Sequence, residues 1–234
     1  PYPGGRHPRI GFLDGAVRPQ RETKISIFTP WNEGHYVVLD VPEAIWHDTP
    51  RDEERKRQLL YLAHTHVPTI WTRQGIELER LEWEWLDDGV LRFERRLPDG
   101  VRFGTKVMPG KESVRMEMWL TNGSDRKLTG LRVQNCVMLK GTPEFAQLTN
   151  DNKVFRAPYA ACRSPDGTHW VITAWEPCER PWGNPPCPCL HSDPRFPDSP
   201  PGQTSWLPGF LSFNEGSDME AKLNRIEGTG WRKE

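Results

Sequence analysis

Between residues 76 and 140 apolar side chains recur at every second position, a period that excludes helix and commits the middle of this chain to β-strands. Five runs carry the pattern, over 76–86, 90–96, 101–107, 113–121 and 131–140. They are broken by Asp87-Asp88-Gly89, Pro98-Asp99-Gly100, Pro109-Gly110 and Asn122-Gly123-Ser124-Asp125, which supply the fixed or positive φ of tight turns. The runs read as an antiparallel meander. In the first, the apolar phase slips between Leu78 and Leu81, which predicts a β-bulge near Glu79 or Arg80. Shorter strands are expected over 24–29, 35–41, 154–157, 170–175 and 206–213.

Two segments read differently. Thr49-Pro50 followed by Asp52 offers an N-cap, a proline in the first turn and an acidic start, and predicts a helix over 51–63. Ser217 with Glu220 makes a capping box ahead of a short helix that sets Met219, Leu223 and Ile226 on one face. The expected fold is therefore all-β, an antiparallel β-sandwich with two short helices. A chain of 234 residues fits one such domain over its whole length, since sandwiches reach about 200–250 residues.

The stretch 176–202, EPCERPWGNPPCPCLHSDPRFPDSPPG, holds nine prolines, each of which fixes φ and removes a backbone donor. It predicts an irregular, stiff flap, anchored by Trp182, Leu190 and Phe196 and lying over something. Cys178, Cys187 and Cys189 belong to it, out of five cysteines in all. An odd count leaves at least one thiol without a disulfide partner. A disulfide from Cys178 to Cys187 or Cys189 would close the flap. A structural zinc site of Cys178, Cys187, Cys189 and His191 is the competing arrangement, although its C-x-C spacing strains a tetrahedron.

Basic and acidic residues nearly balance, 31 against 32, for a net charge of -1. That argues against a nucleic-acid-binding surface, which needs a basic excess. No apolar run approaches the ~20 residues of a membrane span. The chain opens at Pro1 without a methionine, which suits removal of an export signal, and a secreted or periplasmic location is the expectation. Eleven tryptophans leave two readings open, core filler and platforms for sugar rings.

Within 131–140 the alternation sets Leu131, Val133, Asn135, Val137 and Leu139 on one face and Arg132, Gln134, Cys136, Met138 and Lys140 on the other. Within 113–121 it sets Val114, Met116, Met118 and Leu120 toward the core and Arg115, Glu117, Trp119 and Thr121 away. The run VRMEMWLTNGSDRKLTGLRVQNCVMLKG, residues 114–141, joins these two strands through the Asn-Gly-Ser-Asp turn. It resembles the middle of galactose-mutarotase-like β-supersandwich proteins, a group that includes aldose epimerases and domains of polysaccharide lyases and glycosidases. The resemblance implies a sugar-facing sandwich. It does not carry over epimerase activity, because those enzymes end the second strand in a His-Pro pair with a catalytic histidine, where this chain has Asn135-Cys136 and Val137-Met138.

His64 and His66 precede Pro68 in a segment that should be extended, so the two imidazoles share one side and can converge on one ion or one substrate group. The cupin pattern fails here, because Ile70 and Trp71 stand where its glutamate would. With His191 from the flap, the pair forms a candidate three-histidine site for a divalent or copper ion, His64 and His66 being the candidate catalytic pair. His35 and His169 are spare ligands and Asp193 a supporting carboxylate. Glu82 and Glu84 share a strand face, which more often makes a solvated row than a glycosidase pair. Trp71, Arg132, Gln134, Lys140, Asn152, Trp175 and Trp182 are the candidate substrate contacts. The sequence points to a carbohydrate-modifying enzyme with a histidine-centred site on a sheet face, or alternatively to a carbohydrate-binding module without catalysis.

Overall fold

The computed structural model describes residues 17–19, 22–32, 34–49, 56–64, 67–110 and 112–233, with the backbone alone at 17–19, Thr49 and Lys56. Its strands are β1 (Val17–Pro19), β2 (Lys24–Phe28), β3 (Tyr36–Thr49), β4 (Lys56–Leu62), β5 (Glu84–Trp85), β6 (Leu91–Arg96), β7 (Arg102–Pro109) and β8 (Ser113–Thr121). They continue with β9 (Thr129–Met138), β10 (Lys153–Arg156), β11 (Tyr159–Arg163), β12 (His169–Trp175), β13 (Cys178–Trp182), β14 (Cys189–Pro194) and β15 (Thr204–Glu215). A single α-helix among the described residues, α1 (Met219–Gly228), closes the chain.

The strands form two antiparallel sheets packed as a sandwich. One has seven strands in the order β1-β2-β3-β9-β14-β13, with β4 paired to β3, and the other eight in the order β10-β11-β12-β15-β8-β7-β6-β5. One apolar core joins them, with Leu39, Val133 and Val137 from the first sheet against Phe103, Met116 and Leu211 from the second. The alternation expected in β8 and β9 holds: Val114, Met116, Met118 and Leu120 are buried, as are Leu131, Val133, Asn135, Val137 and Leu139. No helix among the described residues is long and apolar enough to cross a membrane.

Five sequence expectations need correction. The helix over 51–63 is absent where it can be seen: 51–55 lie outside the described residues, and 56–62 form β4. The second half of β3 offers an open edge, and burying Leu60 and Tyr61 against Trp71 and Phe103 outweighs a helix propensity of a few tenths of a kcal/mol per residue. The run 76–86 pairs only at Glu84 and Trp85, so no bulge forms at Glu79 or Arg80. Leu81 and Trp83 are buried there without a ladder, and Trp83 Nε1 donates to the Glu22 carbonyl at 2.7 Å.

The meander ends at β8, because β9 crosses to the other sheet. Asn122 holds the crossover, its amide donating to the carbonyls of Arg126 and Ser199 and its oxygen accepting from Ser124. The proline-rich stretch is no irregular flap: β13 and β14 form a hairpin, and β14 pairs with β9 inside the sheet. The prolines sit where no ladder donor is required, with Pro181 on the edge strand β13, Pro185, Pro186 and Pro188 in the turn, and Pro194 at the end of β14. At α1 the cap is Asp218 rather than Ser217, its carboxylate accepting from Ala221 N at 3.0 Å. Leu223 and Ile226 are buried on the expected face, with Met219 packed beside them.

Close contact between strands makes a specific demand at Gly104, where a Cβ would lie 2.2 Å from Trp119 Cζ2 and 2.3 Å from the Phe93 carbonyl oxygen. Backbone cannot yield as a flexible side chain does, so Gly104→Ala is expected to destabilise the fold by about 1–3 kcal/mol through overpacking. Urea unfolding checks this, and an unchanged midpoint would contradict the packing described.

Candidate functional site

The site grows out of an interruption in β3. Pro42 has no N–H to give the β3–β9 ladder, and the register shifts there, from Asp40 opposite Cys136 to Ala44 opposite Gln134. Three residues of β3 thus face one of β9. Val41 turns inward, its N–H donating to the Thr23 carbonyl at 3.2 Å and its own carbonyl accepting from Thr105 Oγ1 at 2.8 Å. Glu43 is left on the outward face. Because Ala63 N donates to the Glu43 carbonyl at 2.8 Å, the end of β4 delivers His64 beside that carboxylate.

His64 Nε2 lies 3.1 Å from Glu43 Oε1 and 3.6 Å from Asp40 Oδ2. Gln134 Nε2 donates to Glu43 Oε2 at 2.7 Å, and His191 Nδ1 stands 3.9 Å from the same oxygen. Asp40 is buried and accepts from Thr23 Oγ1 at 2.6 Å, with Lys24 Nζ at 3.3 Å. The His64 side chain is 39% exposed and that of Glu43 14%, so solvent reaches this pair while His191 is 3% exposed.

Burial opposes ionisation of Glu43, but the hydrogen bonds from His64 and Gln134 and the charges of His191 and His64 outweigh it and hold the carboxyl below the ordinary glutamate value. The Glu43 hydrogen bond raises His64 above the usual histidine value against the opposing effect of burial, with Asp40 adding to the rise. Asp40 moves up instead, because burial outweighs its partners.

A second cluster adjoins the first. Cys189 Sγ is 3.0 Å from His191 Nε2, and His191 Nδ1 donates to the Asn135 carbonyl at 2.8 Å. Cys136, Cys189 and His191 are all buried, with their ligand atoms within 4.8 Å of one another. The hydrogen bond from Cys136, then the hydrogen bond and charge of His191, pull Cys189 well below the ordinary thiol value despite burial, while Cys136 is pushed up. Trp182 stacks on the His191 ring at 3.9 Å and 10°, and Arg180 covers the indole at 4.7 Å. Asp193 accepts from Trp182 Nε1 at 2.6 Å, Arg180 Nε at 3.1 Å and Asn135 N at 3.2 Å, supporting the ring from below.

The structure brings together His64, His191, Gln134 and Glu43. His66 lies outside the described residues. His191 directs one ring nitrogen at Asn135 and the other at Cys189. Arg132 lies on the same sheet face, donating to Asp48 at 3.0 Å and Glu179 at 3.2 Å. Trp71 and Trp175 are buried core residues, Lys140 is exposed, and Asn152 donates to Gln147 in a turn. Trp182 has both ring faces covered. His35 pairs with Glu144, and His169 packs on Trp31. All five thiols are free, which corrects the expected Cys178 disulfide: Cys178 turns to Ser192 Oγ, away from the Cys136 cluster.

Glu43 and Cys136 were not singled out from sequence as functional. The signal for Glu43 was Pro42 inside an otherwise apolar strand, the mark of a bulge that re-aims the next side chain. For Cys136 it was a thiol on the polar face of an alternating strand.

The opposed shifts fix a sign. Stability from ionised Glu43 is present above its unfolded value near 4.5 and is lost as pH falls through its lower folded value. Stability from protonated His64 is present below 6.5 and is lost as pH rises through its higher folded value. In an NMR titration His64 is expected to deprotonate above pH 6.5, and Glu43→Gln is expected to move that midpoint down. An unmoved midpoint would remove the pair.

No protein-family model matches the sequence, and no curated protein matches it. Among solved structures, the chain is similar to the Slr1438 protein from Synechocystis sp. PCC 6803, with a TM-score of 0.47 and 11% identity over 89% of this chain and 99% of that one. It is similar to a protein given the name kojibiose phosphorylase, from the human microbiome, with a TM-score of 0.44 and 7% identity over 90% of this chain and 32% of that one. It is also similar to a polysaccharide lyase, with a TM-score of 0.43 and 13% identity over 93% of this chain and 34% of that one.

Proposed function

We propose that this protein is a carbohydrate-modifying enzyme in which Glu43 and His64 form the proton-transfer pair. The observation that carries the chemistry is the 3.1 Å contact between His64 Nε2 and Glu43 Oε1 at a position open to solvent. A carboxyl shifted down beside a histidine shifted up gives one base and one acid within reach of a single bound group. Gln134 fixes the carboxylate through its other oxygen, so the pair is oriented before any substrate arrives. Arg132, with Asp48 and Glu179, adds a charged cluster on the same sheet face that suits hydroxyl or carboxylate groups of a sugar. The substrate class comes from the resemblance of residues 114–141.

Reducing-end release, unsaturated-product absorbance and anomer exchange by NMR, run against a panel of oligo- and polysaccharides, cover hydrolysis, elimination and epimerisation. Glu43→Gln and His64→Ala are each expected to lower turnover by about 10²–10⁴-fold, the usual weight of a general acid or base, with binding and circular dichroism kept. Full turnover in either variant would contradict the assignment.

A binding module without catalysis is the second reading, and one observation favours it. Trp206 on β15 is 53% exposed and lies 5.2 Å from the Trp119 ring on the outward face of the eight-stranded sheet. A cavity of about 440 Å³ adjoins it, lined by Trp206, Trp231, Arg115 and Glu117 among others. Glycan binding lost in Trp206→Ala, with no turnover on the whole panel, would select this reading.

A further inference from the structure

We infer that Cys136, Cys189 and His191, with Cys187 as the fourth ligand, form a structural zinc site that ties β9 to the β13–β14 hairpin. The site adjoins the Glu43–His64 pair, with His191 Nδ1 3.9 Å from Glu43 Oε2, but its metal takes no part in the proposed proton transfer. It differs from both metal sets expected from sequence, because Cys136 comes from a different strand and neither Cys178 nor His64 takes part.

The geometry argues in steps. Register sets Cys189 opposite Met138 and Leu190 opposite Val137, which brings His191 alongside Cys136. Asp40 lies opposite Cys136 on one side and Trp182 opposite His191 on the other, so the cluster sits inside the sheet rather than at a loose end. In a zinc tetrahedron with Zn–S of ~2.3 Å and Zn–N of ~2.0 Å, neighbouring ligand atoms are about 3.5–3.8 Å apart. Here the three ligand atoms already lie within 4.8 Å, so closing on an ion needs only side-chain rotations.

The imidazole is oriented as a ligand should be. Nδ1–H is committed to the Asn135 carbonyl, which fixes the tautomer and turns the Nε2 lone pair toward the sulfurs. Trp182 holds the ring plane by stacking. Cys187, half-buried in the hairpin turn two residues before Cys189, has its Sγ 3.7 Å from Met138 Sδ and outside the 4.8 Å cluster, and reaches the ion by rotating its side chain toward Cys189. Three thiolates and one imidazole close the coordination shell, which makes the site structural and selects zinc over harder ions. On binding, the three sulfurs enter as thiolates and His191 as the neutral imidazole, with the protons that the site still holds released to solvent.

The test uses the full chain, purified without a histidine tag or chelator and kept reduced. Elemental analysis is expected to find one zinc per chain. The Cys136→Ser/Cys189→Ser double variant is expected to lose it, and Cys162→Ser and Cys178→Ser to retain it. Since the double variant risks misfolding, cobalt(II) is also titrated into the metal-free wild type, where thiolate-to-cobalt charge-transfer bands are expected to saturate at one equivalent. Cys187→Ser is expected to weaken those bands by about one thiolate in three. Absence of both zinc and the cobalt bands in the reduced wild type would overturn the site. So would zinc retained by a folded double variant, which would place the metal elsewhere, or a Cys136–Cys189 disulfide found by peptide mapping of the untreated protein.

Discussion

β9 lies between β3 and β14, and its inward row of Leu131, Val133 and Val137 enters the core while its outward row carries Arg132, Gln134 and Cys136. A slip of one residue would exchange the two rows and drive the arginine and glutamine into the core, so burial locks the register of both neighbours. Everything on the outward face inherits its position from that lock. Gln134 reaches Glu43 on one side, and Cys136 meets Cys189 and His191 on the other.

Burial of titratable groups in such a row is costly unless each is paired, since an isolated buried charge loses several kcal/mol of hydration. The row meets that condition locally. Asp40 has Thr23 and Lys24, Asp193 has Arg180, Trp182 and a backbone N–H, and His191 has Asn135 and Cys189. Toward His64, whose side chain is 39% exposed, the row opens to solvent. The same sheet face thus divides into a closed part, suited to holding structure, and an open part, suited to moving protons.

The strand framework was legible where alternation is strict, because one-sided burial writes itself into the sequence at period two. β6, β7, β8 and β9 were read within a few residues, and the two faces of β8 and β9 were assigned correctly. β4 was misread because the charged residues ahead of Gln58 imitate a helix surface, whereas 56–62 pair with the open edge of β3 as a strand. β14 was hidden by prolines whose harmlessness depends on a neighbour the sequence does not reveal. His64, His191 and Gln134 were singled out from residue type and face, and all three lie near Glu43. Glu43 was missed because its orientation follows from the bulge at Pro42, and Cys136 because its partners, Cys189 and His191, arrive from β14, far along the chain.

Crystals of the Glu43→Gln variant soaked with an oligosaccharide turned over by the wild type address the central claim most directly. Sugar density within hydrogen-bond reach of His64 and Arg132, on the outward face of the seven-stranded sheet, is the expected result. A sugar bound instead against Trp206 and Trp119 on the opposite sheet, with the His64 face empty, would contradict it.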